Sequence, residues 1–190
     1  MPTPRFAEAL QLANQLHARQ RRKGTGVPYI AHLMSVSALV FEDGGDEDEA
    51  IAGLLHDAVE DQGGAATLAE IRRRFGDRVA DIVDACSDTD VIPKPPWRER
   101  KERYLGHLAT APPEVRRVSA ADKVHNARSI VTDYRQQGEA FWGRFTAGRE
   151  GTLWYYRAVL DTLLAHGRTP LVDELERVVR EMEALVGLSI

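Results

Sequence analysis

The sequence predicts an all-α fold, and three observations carry that prediction. Apolar residues recur at three- and four-residue intervals along nearly the whole chain, the pattern of helices that bury one face. No segment alternates apolar and polar residues as a half-buried strand would. Gly and Pro gather between the periodic runs, where helices stop and start. The expected architecture is a bundle of roughly eight to ten helices.

The elements follow in order. Phe6, Leu10, Ala13 and Leu16 form a first stripe that ends near His17, and a basic loop from Arg19 to Pro28 follows it. A second helix starts near Tyr29 and carries His32, Val36 and Val40 until Gly44-Gly45 breaks it. Asp46 and Glu49 have the spacing of a capping box and open a helix through Ile51, Leu54, Leu55, Ala58 and Val59. Gly63-Gly64 ends it, and Thr67 with Glu70 repeats the capping pattern for a short helix closed by Gly76. Val79, Ile82, Val83 and Cys86 mark another helix, and Pro93, Pro95 and Pro96 make Asp88 to Pro96 a loop. A basic helix runs from Trp97 to about Leu108, and Pro112-Pro113 starts one that extends toward Ile130. A less regular piece spans Gly138 to Gly151. Two amphipathic helices close the chain, at about 152–165 and 170–185.

At 190 residues the chain suits one domain with a sizeable core. An apolar fraction of 43% and a charged fraction of 28% exclude a disordered chain. The net charge of −4 argues against a nucleic-acid binder. No apolar run is long enough to span a bilayer, and the first residues lack a signal peptide's apolar core. With Cys86 alone there is no intrachain disulfide, and a cytoplasmic location is expected. The sequence is compatible with a homo-oligomer.

The chemistry concentrates in Leu54-Leu55-His56-Asp57-Ala58-Val59-Glu60-Asp61. Read as one helix, this run stacks His56 beneath Glu60 and Asp57 beneath Asp61. Three carboxylates and an imidazole beside an apolar stripe carry a heavy desolvation cost unless they are paired, and a divalent cation would resolve it. His32 and Asp122 are the best further ligands, because both lie on helices expected to pack against this one. Mixed nitrogen and oxygen donors without sulfur favour Mn²⁺, Fe²⁺ or Zn²⁺ over Mg²⁺. His125, three residues after Asp122, is expected to support a ligand from behind.

Glu60 and Asp61, one turn beyond, could accept a proton or orient water, or could be surface acids near Gly63. Basic residues cluster at Arg19 to Lys23 and at Arg98 to Arg103. Arg22, Lys23, Arg100 and Lys101 are the candidates to counter phosphate charge. Lys123 and Asn126 could reach a phosphate or ribose. Tyr29 reads equally well as a substrate contact or as packing for the loop.

Four runs recur together: His17-x-x-Gln20-Arg21-Arg22-Lys23, Pro28-Tyr29-Ile30-Ala31-His32, His56-Asp57-Ala58-Val59-Glu60-Asp61, and Ala121-Asp122-Lys123-Val124-His125-Asn126. In this order the chain resembles the HD-domain metal-dependent phosphohydrolases. Within them it resembles the (p)ppGpp hydrolases, which comprise the hydrolase half of the bifunctional stringent-response enzymes and the stand-alone small alarmone hydrolases. The resemblance implies a single HD domain over 1–190, with a motif-bearing core at about 5–135 and C-terminal helices at about 152–186.

It also implies metal ligands at His32, His56, Asp57 and Asp122, an essential pair at Glu60 and Asp61, and nucleotide contacts at Arg22, Lys23 and Asn126. The implied ion is Mn²⁺, with Fe²⁺ or Zn²⁺ as alternatives. The implied reaction removes the 3′-pyrophosphate of ppGpp or pppGpp. Nothing resembles the family's synthetase domain, so a purely hydrolytic protein is implied. The loop Gly24 to Val27 and the Pro-rich segment depart from the long family members. The alternatives are another nucleotide substrate (ppApp, the 2′-phosphate of NADPH, or a nucleoside monophosphate) and a non-catalytic nucleotide sensor.

Overall fold

Residues 2–87 and 95–187 are described by a computed structural model, and they form ten α-helices and one 3₁₀ helix. Thr3 caps α1 (Pro4–Leu16) by accepting from the Arg5 amide. The basic loop then doubles back on itself, and the Arg22 amide donates to the Val27 carbonyl at 2.9 Å. An isolated bridge between Arg21 and Pro28 is the only β pairing among the described residues. α2 (Ile30–Glu42) follows, and α3 (Glu47–Leu55) starts where the Asp46 carboxylate accepts from the Glu49 amide at 3.0 Å.

Only half of the expected capping box forms. The Glu49 carboxylate turns away from the cap to pair with Arg117 and with Arg78. The single helix expected through Ile51 to Asp61 is also corrected: α3 ends at Leu55 and α4 (Ala58–Asp61) is a separate turn. Asp57, at φ −95° and ψ −2°, stands as the cap residue before α4, so the helix is interrupted at the His-Asp pair itself. His56 and Glu60 therefore do not stack on one continuous helix.

Gly63 precedes α5 (Gly64–Phe75) with a φ of +130°, a conformation that favours glycine. Thr67 is thus not a cap, because it lies inside α5 and its hydroxyl donates to the Gln62 carbonyl. α6 (Asp77–Cys86) and α7 (Trp97–Thr110) bracket the Pro-rich segment, of which 88–94 lies outside the described residues. α8 (Pro113–Gln137) is longer than expected. It passes into a 3₁₀ helix (Gly138–Arg144), then α9 (Gly148–Leu164) and α10 (Pro170–Leu185).

α3 and α8 are central. α3 packs against α1, α2, α6 and α8, and α8 also touches α2, α6, α9, α10 and the 3₁₀ helix. Small residues allow the close approaches. A Cβ on Gly53 of α3 would sit 3.2 Å from the Ser37 Cα of α2, so these helices meet backbone to backbone and bring His32 near His56. Ala120 and Ala121 of α8, just before Asp122, are buried as well. Among the described residues no helix is long and apolar enough to cross a membrane.

Candidate functional site

His32 from α2, His56 and Asp57 from the α3–α4 break, and Asp122 from α8 meet in one place. His32, His56 and Asp57 each offer a ligand atom, all within 4.8 Å of one another. Asp122 Oδ1 lies 3.3 Å from His32 Nε2 and 3.7 Å from His56 Nε2. Asp57 Oδ2 lies 3.1 Å from His56 Nε2 and 3.6 Å from His32 Nε2. His32 is 1% exposed and His56 4%, so this is an interior site.

The far side of each ring decides which nitrogen is offered. His56 Nδ1 lies 2.9 Å from the Gly53 carbonyl, which can only accept, so Nδ1 carries a proton. His32 Nδ1 faces His125 Nδ1 at 2.8 Å. Both Nε2 atoms are then left buried with no hydrogen-bond partner. Two orphaned imidazole nitrogens flanked by two carboxylates fit a divalent ion, which would satisfy the nitrogens and neutralise the acids. His125 thus stands behind His32 and outside the cluster of two imidazoles and two carboxylates.

The carboxylates dominate the electrostatics of the cluster. Burial disfavours the His56 cation, but Asp57 and Asp122 outweigh it and raise its pKa well above the ordinary histidine value. Burial likewise opposes ionisation of Asp57 and Asp122. His56 beside the first and Lys123 beside the second hold both well below the usual carboxylate range. Such a pocket is built to balance anions with positive charge.

A second set of contacts orients the acids. The Tyr29 hydroxyl donates to Asp57 Oδ2 at 2.6 Å while its ring stacks on His17, so Tyr29 both packs the loop and holds the Asp57 carboxylate. Asn126 Nδ2 donates to Asp122 Oδ1, and Arg22 donates to Asn126 Oδ1 at 2.8 Å. Lys123 donates to Asp122 Oδ2 at 2.5 Å and lies against the rings of Tyr104 and Tyr155.

Two cavities adjoin the site. The smaller, about 570 Å³, is lined by His56, Asp57, Glu60, Asp122, Arg100 and Lys101 among others. The larger, about 750 Å³, is lined by Arg22, His125, Phe141, Arg144 and Tyr156 among others. Lys23, Tyr29, Trp97, Lys101, Lys123, Asn126 and Tyr155 line both. A charged chamber beside the histidines thus opens into a larger one with aromatic walls, and the volumes suit a small molecule.

Glu60 and Asp61 part company here. Glu60 lines the smaller cavity, whereas Asp61 lines neither and accepts from Gln20 Nε2 at 2.7 Å. Gln20 Oε1 in turn accepts from Gln62 Nε2 and faces His17 Nδ1 at 2.7 Å. Sequence reasoning gave no role to Gln20, Trp97, Arg144 or Tyr155. Gln20 stood in a motif and offered a signal. The other three belong to no spacing pattern.

Residues 9–153 match the HD domain family. The chain belongs to the HD-domain family. This HD domain is 36% identical over 126 residues to the Xenopus tropicalis guanosine-3′,5′-bis(diphosphate) 3′-pyrophosphohydrolase MESH1, covering 65% of the chain and 68% of the relative. It is 34% identical over 131 residues to an Aquifex aeolicus guanosine-3′,5′-bis(diphosphate) 3′-pyrophosphohydrolase, covering 67% of the chain but 18% of that longer protein. A solved structure, described as a metazoan ortholog of SpoT that hydrolyses ppGpp and plays a role in starvation responses, superimposes with a TM-score of 0.78. It is 26% identical, and the match covers 100% of this HD-domain chain and 99% of the other.

Proposed function

We propose that this HD domain hydrolyses the 3′-pyrophosphate of guanosine alarmones, converting ppGpp and pppGpp to GDP and GTP plus pyrophosphate. The observation that carries the reading is the junction of a charged histidine-aspartate chamber with a larger, aromatic-walled cavity rimmed by Arg22 and Lys23. The relatives named above supply the substrate class. The proposed domain spans 1–190, and a cytoplasmic location fits its composition.

His32, His56, Asp57 and Asp122 would hold the divalent ion, which we take to be Mn²⁺. When bound, such an ion supplies positive charge at the phosphate and acidifies water. Water oxygen bonds to the 3′ phosphorus, the bond from phosphorus to ribose O3′ breaks, and O3′ gains a proton. Glu60, in the chamber wall, accepts the proton that water loses. Asp61, held by Gln20, fixes the turn that carries Glu60. Arg100, Lys101 and Lys123 offset the charge of the pyrophosphate, while Arg22, Lys23 and Asn126 hold the nucleoside side. Tyr29, which lines both cavities, holds Asp57 in place through its hydroxyl.

The test incubates Mn²⁺-loaded protein with ppGpp, ppApp, NADPH and nucleoside monophosphates and identifies the products. GDP with pyrophosphate is expected from ppGpp. Orthophosphate release in its place would mean a phosphatase, and faster cleavage of ppApp would change the base but keep the chemistry. Tight binding of one nucleotide with no cleavage would leave a sensor.

A further inference from the structure

Among the described residues five buried polar side-chain atoms have no hydrogen-bond partner: His17 Nε2, His32 Nε2, His56 Nε2, Trp142 Nε1 and the Tyr155 hydroxyl. Two of these belong to the ligand cluster. His17 and Trp142 line neither cavity, whereas Tyr155 lines both. An enclosed hydroxyl without a partner is costly and rare in a folded interior, and it persists where a ligand completes it.

We infer that the Tyr155 hydroxyl binds the substrate, donating a hydrogen bond to a phosphate oxygen at the junction of the two cavities. The surroundings select the acceptor. Lys101 Nζ lies 5.0 Å and Lys123 Nζ 5.9 Å from the centre of the Tyr155 ring, so the tyrosine sits beside two cations where an anion is favoured over a ribose hydroxyl. The ring cannot swing away to find water. It is 6% exposed and packed against Trp97, Trp154 and Tyr156. Burial also pushes its pKa well above the usual tyrosine value despite Lys123, so the hydroxyl keeps its proton and acts as a donor. The inference rests on the reading of this junction as the seat of a phosphorylated substrate.

Tyr155→Phe removes the hydroxyl and keeps the ring. Two measurements on the Mn²⁺-loaded protein separate the possibilities: calorimetric binding of inorganic pyrophosphate, and steady-state cleavage of ppGpp, each beside a thermal melt. Pyrophosphate affinity lower by about tenfold or more, and KM for ppGpp raised as much, are expected with Tm unchanged or higher. Unaltered affinity and KM, a fall in Tm alone, or a wild-type protein that binds no pyrophosphate overturns the inference. Tyr155-dependent pyrophosphate binding without ppGpp cleavage would keep it and sink the alarmone reading. Normal ppGpp cleavage by both proteins, at equal KM, would do the reverse.

Discussion

The imidazole of His125 stands 2.8 Å from that of His32, Nδ1 to Nδ1, and so determines which nitrogen His32 presents to the carboxylates. One of the two Nδ1 atoms must carry the shared proton. With that proton on His32, its Nε2 has a free lone pair 3.3 Å from Asp122. His125→Ala should remove this control without removing a ligand. Mn²⁺ affinity, measured by calorimetry, is expected to fall by about 10- to 100-fold. No change in affinity would show that His32 orients itself.

Catalysis and metal binding should separate at the turn after Asp57. Glu60→Gln and Asp61→Asn are expected to retain bound Mn²⁺ while kcat for ppGpp falls by a factor on the order of 10² or more, most severely for Glu60, which lines the chamber. Loss of metal from either variant, read by elemental analysis, would make it a ligand.

The His56-Asp57 pair was legible in the chain because its residues sit side by side in an apolar run. His32 and Asp122 lie far from that pair in sequence, and the fold brings the four side chains together. Spacing cannot report a local break in the axis, so the interruption at His56-Asp57 was read through as helix. Nor could it foresee that Glu49 would abandon its cap for Arg117, because that choice depends on α8 lying alongside. The cavity wall from α9 was invisible for a similar reason. Tyr155 reads as one more apolar-face residue until α7 and α8 are folded against it.

Gln20 offers a test by pH. Burial pushes Asp61 above the ordinary aspartate value, the Gln20 amide pulls it back, and the charges of Asp57 and Glu60 push it up again. Gln20→Leu removes the larger of the two lowering influences, the other being the charge of His17, so the Asp61 carboxylate protonates at a higher pH. If turnover needs that carboxylate, the acid limb of the kcat profile should move to higher pH and the alkaline plateau should change little. An acid limb that stays in place or moves down would free Asp61 of any such role.

The pairing of Arg117 predicts stability. Its guanidinium joins Asp43 at the end of α2 to Glu49 at the start of α3, and Asp43 also accepts the Leu171 amide that opens α10. Arg117→Ala leaves two buried carboxylates, with Arg78 still beside Glu49. Unfolding free energy from urea titration should drop by about 3 kcal/mol. A drop below about 1 kcal/mol would mean that water reaches both acids.

Arg22 and Asn126 should fail in different ways. Arg22 donates to Asn126 Oδ1 and lines the larger cavity, but it does not touch the metal cluster. Arg22→Ala is therefore expected to raise KM for ppGpp by about tenfold or more, with Mn²⁺ content and kcat nearly intact. Asn126 also donates to Asp122 Oδ1, an oxygen within 3.7 Å of the His32 and His56 imidazoles. Asn126→Ala frees that carboxylate to rotate, so it should weaken Mn²⁺ binding as well as raise KM. The comparison turns on metal affinity measured in the absence of nucleotide. Equal metal loss in both variants would make Arg22 part of the support for Asp122. Normal metal binding in both would confine Asn126 to the substrate.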